Sequence, residues 1–102
     1  MAIDAIAIKV VDNVATALRD IAEQENVLVS CGETRLCVSV REPIQYGHKF
    51  ALRDIGKSEN IIKYGEVIGR ATTDILAGAH AHIQNIESLR GRGDLDGKEK
   101  GK

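Results

Sequence analysis

Over residues 3–11 apolar and other positions alternate, and Ile6, Ile8 and Val10 share one parity. Period-two alternation of branched residues predicts a first strand. Val14, Leu18, Ile21 and Ala22 then recur at helical spacing, behind an Asp12-Asn13 pair suited to capping. That spacing predicts one short N-terminal helix over 13–24, with Arg19, Asp20 and Glu23 on its solvated face. Residues 27–40 read as a hairpin. Two β-rich runs, Val27-Leu28-Val29 and Leu36 to Val40, flank a turn at Gly32-Glu33-Thr34. The only proline, Pro43, ends this unit, and Tyr46-Gly47 makes a further turn.

Four more short runs follow, at 48–52, 60–64, 65–71 and 79–83. Glycines at 47, 56, 65, 69 and 78 punctuate them. Such spacing fits a mostly β fold with close backbone crossings. It leaves no room for the helices of βαβ units. No internal repeat is read along the chain. After Ser88 the pattern stops: residues 90–102 hold five Lys or Arg, three acids and four Gly. Such a stretch cannot bury enough apolar area to offset its ordering entropy. The expectation is one domain over 1–89 and a disordered charged tail over 90–102. The Arg92-Gly93-Asp94 triplet in that tail is read as a chance match to a cell-adhesion tripeptide.

Composition narrows the partners. Aromatics are 3% of the 102 residues, so the core must be built from Ile, Val, Leu and Ala, and no base-stacking platform exists. A formal net charge of −1 gives no field to attract nucleic acid or an anionic membrane. No run approaches the roughly 20 apolar residues of a membrane span, and the N-terminus does not resemble a secretory signal. The expected setting is therefore cytoplasmic. Cys31 and Cys37 then read as small buried hydrophobes. A cross-strand disulfide is the alternative, and their spacing does not match the usual zinc pairs.

Few residues could carry chemistry. His80 and His82 lie two apart in an apparent strand, so both face one side. Two imidazoles so placed can bind a divalent metal, or an anion when protonated. The same spacing also describes a surface pair with no role. His48 is the only other histidine. Lys49, Arg53, Lys63 and Arg70 are cations in or beside the same strands, as carboxylate recognition requires. For any single one of them the ordinary reading is solubilising charge. Tyr64 reads as a half-buried anchor, and Asp54 and Glu66 could serve as base or ligand, although acids in turns usually do nothing chemical. A phosphate loop, a Cys cluster and a paired-carboxylate helix face are all missing.

Four segments together resemble a known family. Ile44-Gln45-Tyr46-Gly47-His48-Lys49-Phe50-Ala51-Leu52-Arg53-Asp54-Ile55 is similar to the G-H-K-hydrophobic-A-L-x-D segment of the altronate/galactarate dehydratases. Ile61-Ile62-Lys63-Tyr64-Gly65-Glu66-Val67-Ile68-Gly69 is similar to their I-K-Y-G-x-x-I-G segment, and His80 to Asn85 to their H-x-H-x-x-N close. Asp12-Asn13-Val14-Ala15 resembles their D-N-V-A opening. The matched part is the N-terminal SAF-type domain, which implies a β-clip fold.

The resemblance implies a lyase that removes water from a sugar acid and depends on a divalent metal, Fe or Mn. It also implies a split arrangement, as in sulfolactate sulfo-lyase, with this chain as the small subunit beside a large catalytic one. His48, Lys49, Lys63, His80 and His82 match family positions, and the working assignment makes His80 and His82 the catalytic and metal-ligand candidates. His48, Lys49, Lys63 and Tyr64 become the substrate-binding candidates. A non-catalytic sugar-acid-binding module and a self-associating homo-oligomer are the competing readings.

Overall fold

The computed structural model describes residues 2–88. Their regular structure is β throughout, in agreement with the expected mostly β class. The strands are β1 (Ala5–Ala7), β2 (Val14–Ala17), β3 (Asn26–Cys31), β4 (Thr34–Ser39), β5 (Lys49–Ala51), β6 (Asn60–Lys63), β7 (Glu66–Ala71) and β8 (Ile86–Ser88). A five-stranded sheet has the order β4-β3-β1-β2-β5, and a three-stranded sheet the order β6-β7-β8. β1 is parallel to β3 and antiparallel to β2. One core gathers Ile21, Val27, Val29, Val40, Ile44 and Phe50. A second gathers Val14, Ile55, Ile61 and Ile75.

The expected helix over 13–24 is not formed. Leu18, which helical spacing would bury, is 45% exposed, while Val14 and Ile21 are buried in different cores. Asn13 explains why the backbone is extended here. Its backbone N–H donates to Ile62 O and its side-chain amide to Asn60 O, while its Oδ1 accepts from Ile62 N–H. These three bonds tie Asn13 to β6 as a strand residue would be tied. Asp12 is likewise no helix cap. Its buried carboxylate accepts from the backbone N–H groups of Ile8, Lys9, Tyr64 and Gly65. Burial alone pushes this carboxyl up. The four donors outweigh that and hold it below its ordinary value.

The first strand is shorter than expected, and its buried parity is the opposite one. Ala5 and Ala7 face the core, whereas Ile8 and Val10 are exposed. β1 lies between β3 and β2 in the sheet. The hairpin at 27–40 is as expected, with Gly32 at φ 61 in its turn. Cys31 is buried, but Cys37 is exposed, and both are free thiols. The proposed tail, 90–102, lies outside the described residues.

The structure also shows a repeat that the sequence reading does not find. Ala17-Leu18-Arg19-Asp20-Ile21 and Ala51-Leu52-Arg53-Asp54-Ile55 are identical, and each is followed by a Glu-Asn pair, Glu25-Asn26 and Glu59-Asn60. Both copies fold alike. Ile21 exchanges two backbone hydrogen bonds with Ile44, and Ile55 does so with Ile75. Asp20 accepts from Tyr46 N–H, and Asp54 from Ala77 N–H. Glu25 accepts from Ala22 N–H, and Glu59 from Gly56 N–H. Gln24 and Ser58 share a left-handed turn conformation, at φ 66 and 76. Hairpin β3–β4 corresponds to β6–β7. The copies share β5, which pairs with β2 on one edge and bridges His80 through Phe50 on the other.

Candidate functional site

The shared strand brings the candidate residues together. Lys49 opens β5 and His48 immediately precedes it. Ala51 N–H donates to Ala79 O and Ala81 N–H to Lys49 O, which lays residues 79–81 alongside. The expected strand over 79–83 goes no further, because Asn85 turns the chain. Its side-chain amide donates to His80 O, its Oδ1 accepts from His82 N–H, and its own N–H donates to His82 O. The loop is thus held from within, and its two histidines point at His48.

All three imidazoles converge. Ring centroids lie 4.3 Å apart for His48–His82, 5.2 Å for His48–His80 and 5.5 Å for His80–His82. His48 Nδ1 and His80 Nε2 are 3.0 Å apart, within hydrogen-bond reach, and Gln84 Nε2 lies 2.8 Å from His80 Nδ1. Lys49 Nζ sits 3.5 Å from His82 Nδ1. Burial and then the neighbouring His48 push His80 below the ordinary imidazole value, against a smaller upward pull from Glu42. Burial, then Lys49, does the same to His82. Burial, then Lys63, lowers the Lys49 ammonium. For His80, His82 and Lys49, burial first and like-charge repulsion second disfavour the charged form.

A cleft of about 330 Å³ opens beside the cluster. Lys49 and Lys63 give it a cationic side, with the His82 ring beside them, and Ile68, Ile83 and Ile86 an apolar one. Tyr64, Glu66 and Ser88 complete it. Tyr64 stands there because Asp12 holds the β6–β7 turn. Tyr64 and Gly65 both have positive φ, 58 and 75, and donate their N–H groups to that carboxylate. The Lys63 ammonium lies 4.9 Å from the Tyr64 ring centroid.

Of the predicted site residues, Lys49, Lys63, Tyr64 and His82 line this cleft. His48 and His80 stand against it through ring contact and hydrogen bonding. Arg53 and Asp54 lie apart, in a separate polar depression. Arg70 pairs with Glu87 at 3.6 Å. The sequence reading misses Gln84, and also Glu42, whose carboxylate accepts from His80 N–H. Neither position carries a pattern that could have signalled it.

These residues do not fit a metal centre of their own. A ligating imidazole must aim an in-plane lone pair at a common point. Here the rings lie nearly parallel, 18° and 21° from His48, and both nitrogens of His80 have partners. No group of three or more His, Cys, Asp or Glu among the described residues is placed to hold a metal ion. No helix among them is long and apolar enough to cross a membrane.

Comparison with known proteins adds a lineage to this geometry. The chain is 47% identical over 83 residues to altronate dehydratase of Escherichia coli (strain K12), covering 81% of this chain and 16% of that protein. It is 42% identical over 77 residues to altronate dehydratase of Bacillus subtilis (strain 168), covering 76% of this chain and 15% of that one. Against (2R)-sulfolactate sulfo-lyase subunit alpha of Chromohalobacter salexigens it is 41% identical over 51 residues, half of this chain and 54% of that subunit. The chain therefore spans about a sixth of the altronate dehydratases it matches. Residues 3–89 match the altronate/galactarate dehydratase SAF domain, which includes every residue of the cluster and the cleft, and the chain belongs to that family.

Proposed function

We propose that this chain is the accessory, carboxylate-gripping part of a sugar-acid dehydratase of altronate or galactarate type. The carrying observation is the state of Lys49. Its half-buried ammonium has no carboxylate partner among the described residues, and Lys63 adds a second cation beside it. Buried charges are ordinarily paired. A substrate carboxylate entering the cleft would supply the missing partner.

On this reading the chain contributes to the β-elimination of water from a hydroxy acid. Removing the weakly acidic proton α to a carboxylate builds enediolate charge, and fixed cations lower the cost of that charge. Lys49 and Lys63 hold the carboxylate, with His48 and Tyr64 shaping the site around it. His82 and, behind it, His80 supply hydrogen bonds or carry a proton near the reacting atoms. The general base, and the divalent metal (Fe or Mn) of the assembled enzyme, belong to a large catalytic partner. The subunit name of the sulfolactate relatives supports such an arrangement, and a cytoplasmic setting goes with it.

Co-expression with a large dehydratase portion tests the proposal, with galactarate or altronate dehydration as the assay. The His80→Ala/His82→Ala double variant should lose about a hundredfold or more in rate, the usual share of a positioned proton-transfer or charge-stabilising group. Full activity in that variant would remove the catalytic role. Full activity of the large portion alone would remove the subunit role.

A further inference from the structure

The hydrogen bonds around the histidines have a direction, and that direction decides what the cluster can do. An amide nitrogen only donates, so Gln84 Nε2 at 2.8 Å makes His80 Nδ1 an acceptor. A neutral imidazole has one proton, which then sits on His80 Nε2. That atom lies 3.0 Å from His48 Nδ1 and, in this tautomer, is the donor of the pair. His48 in turn keeps its proton on Nε2. At the other end an ammonium also only donates, so Lys49 Nζ at 3.5 Å makes His82 Nδ1 an acceptor and leaves the proton on His82 Nε2.

We propose that Gln84 is the positioning residue that sets the polarity of this relay, locking His80 and His48 as Nε2–H tautomers while Lys49 locks His82 the same way. All three Nδ1 lone pairs are then occupied within the cluster. The neutral cluster offers N–H donors to its surroundings and withholds its Nδ1 lone pairs from a metal or a substrate proton. Such a cluster suits a developing oxyanion, for which preorganised donors are needed. The inference rests on the carboxylate reading of the cleft for its purpose. Its geometry is independent of that reading. Gln84 is exposed, and Asn85 holds the loop backbone through its own bonds, so replacing Gln84 leaves the loop anchored.

The test is a long-range ¹H–¹⁵N imidazole spectrum of the full chain at about pH 8, above the ordinary imidazole range. The wild type should show unprotonated Nδ1 and protonated Nε2 on all three rings. In Gln84→Glu the new carboxylate can only accept, so a proton should move to His80 Nδ1 and reverse the His48 bond. Gln84→Leu should leave His80 and His48 as tautomer mixtures with His82 unchanged, and Lys49→Met should relax His82 alone. A protonated Nδ1 on wild-type His48 or His80, or no response to Gln84→Glu, would overturn the inference. Adding galactarate to the same sample separates the two ideas. If His82 and the Lys49 amine do not respond, the carboxylate reading fails, and the tautomer result stands or falls on its own spectrum.

Discussion

The two copies of the Ala-Leu-Arg-Asp-Ile unit fold alike and are used differently. In the first, the returning segment is Gly47-His48-Lys49-Phe50. In the second it is Gly78-Ala79-His80-Ala81. Both glycines have φ 85, and each donates its N–H to the alanine of its own unit, Ala17 or Ala51. The backbone solution is common, so the side chains were free to diverge. The chemistry sits where the copies meet, because β5 is at once the last strand of one and the first of the other. The first copy contributes Lys49 from that strand and His48 just before it, and the second contributes His80 beside it and His82 from the loop that follows. Neither copy alone would assemble the cluster.

The largest expected contrast lies between the two equivalent glycines. A Cβ at Gly78 would overlap the Ser39 carbonyl oxygen, whereas one at Gly47 would meet nothing within 4 Å. Gly78→Ala should therefore cost about 4 kcal/mol, from backbone overlap plus left-handed strain. Gly47→Ala should cost about 1 kcal/mol, from strain alone. Urea unfolding of the two variants measures the difference, and equal losses would mean that the copies do not pack as described.

Next in size is Asp12, which has no counterpart in the repeat and bonds the segment after β1 to the β6–β7 turn. Asp12→Ala abandons four backbone donors and should cost about 3 kcal/mol. Because its folded carboxyl titrates below the ordinary value, the unfolded chain binds the proton first as pH falls. Its contribution is present at neutral pH and is lost on acidification through and below the ordinary carboxylate value of 3.8. Asp12→Asn should flatten the acid limb of a stability–pH curve, and an unchanged limb would assign the acid sensitivity elsewhere. The smallest effect is predicted for the equivalent pair Asp20→Ala and Asp54→Ala. Each removes one acceptor from one turn, so each should cost about 1 kcal/mol, with the two values alike.

Much of this fold is legible from alternation and glycine placement, since β3–β4 and β6–β7 are hairpins with turn residues suited to them. The helix over 13–24 is the instructive failure. Val14, Leu18 and Ile21 match helical spacing only because the strand β2, a bend and the bridge at Ile21 happen to put apolar residues there. The long-range partners Asn60 and Ile62 decide the matter, and local spacing does not contain them. Reading that stretch as helix also hides the repeat, since its second copy reads as strand and turn. At the site, period two puts His80 and His82 on one side of a strand, but the strand ends near His80 and the Asn85-held loop brings the two rings together. The approach of His48 depends on strand pairing across the two copies. The hydrogen bonds of Gln84 and Glu42 depend on side-chain placement that no spacing encodes.

The central claim is that the cationic side of the cleft exists to hold a sugar-acid carboxylate. Titration of galactarate into the full chain, followed by the chemical shifts of the Lys49 amine and the His82 ring, tests it most directly. The account predicts saturable shifts at both groups in the wild type. In Lys49→Met, affinity should be about tenfold weaker, the worth of one charge-assisted hydrogen bond. Shifts that do not saturate, or an affinity unchanged by Lys49→Met, would contradict it.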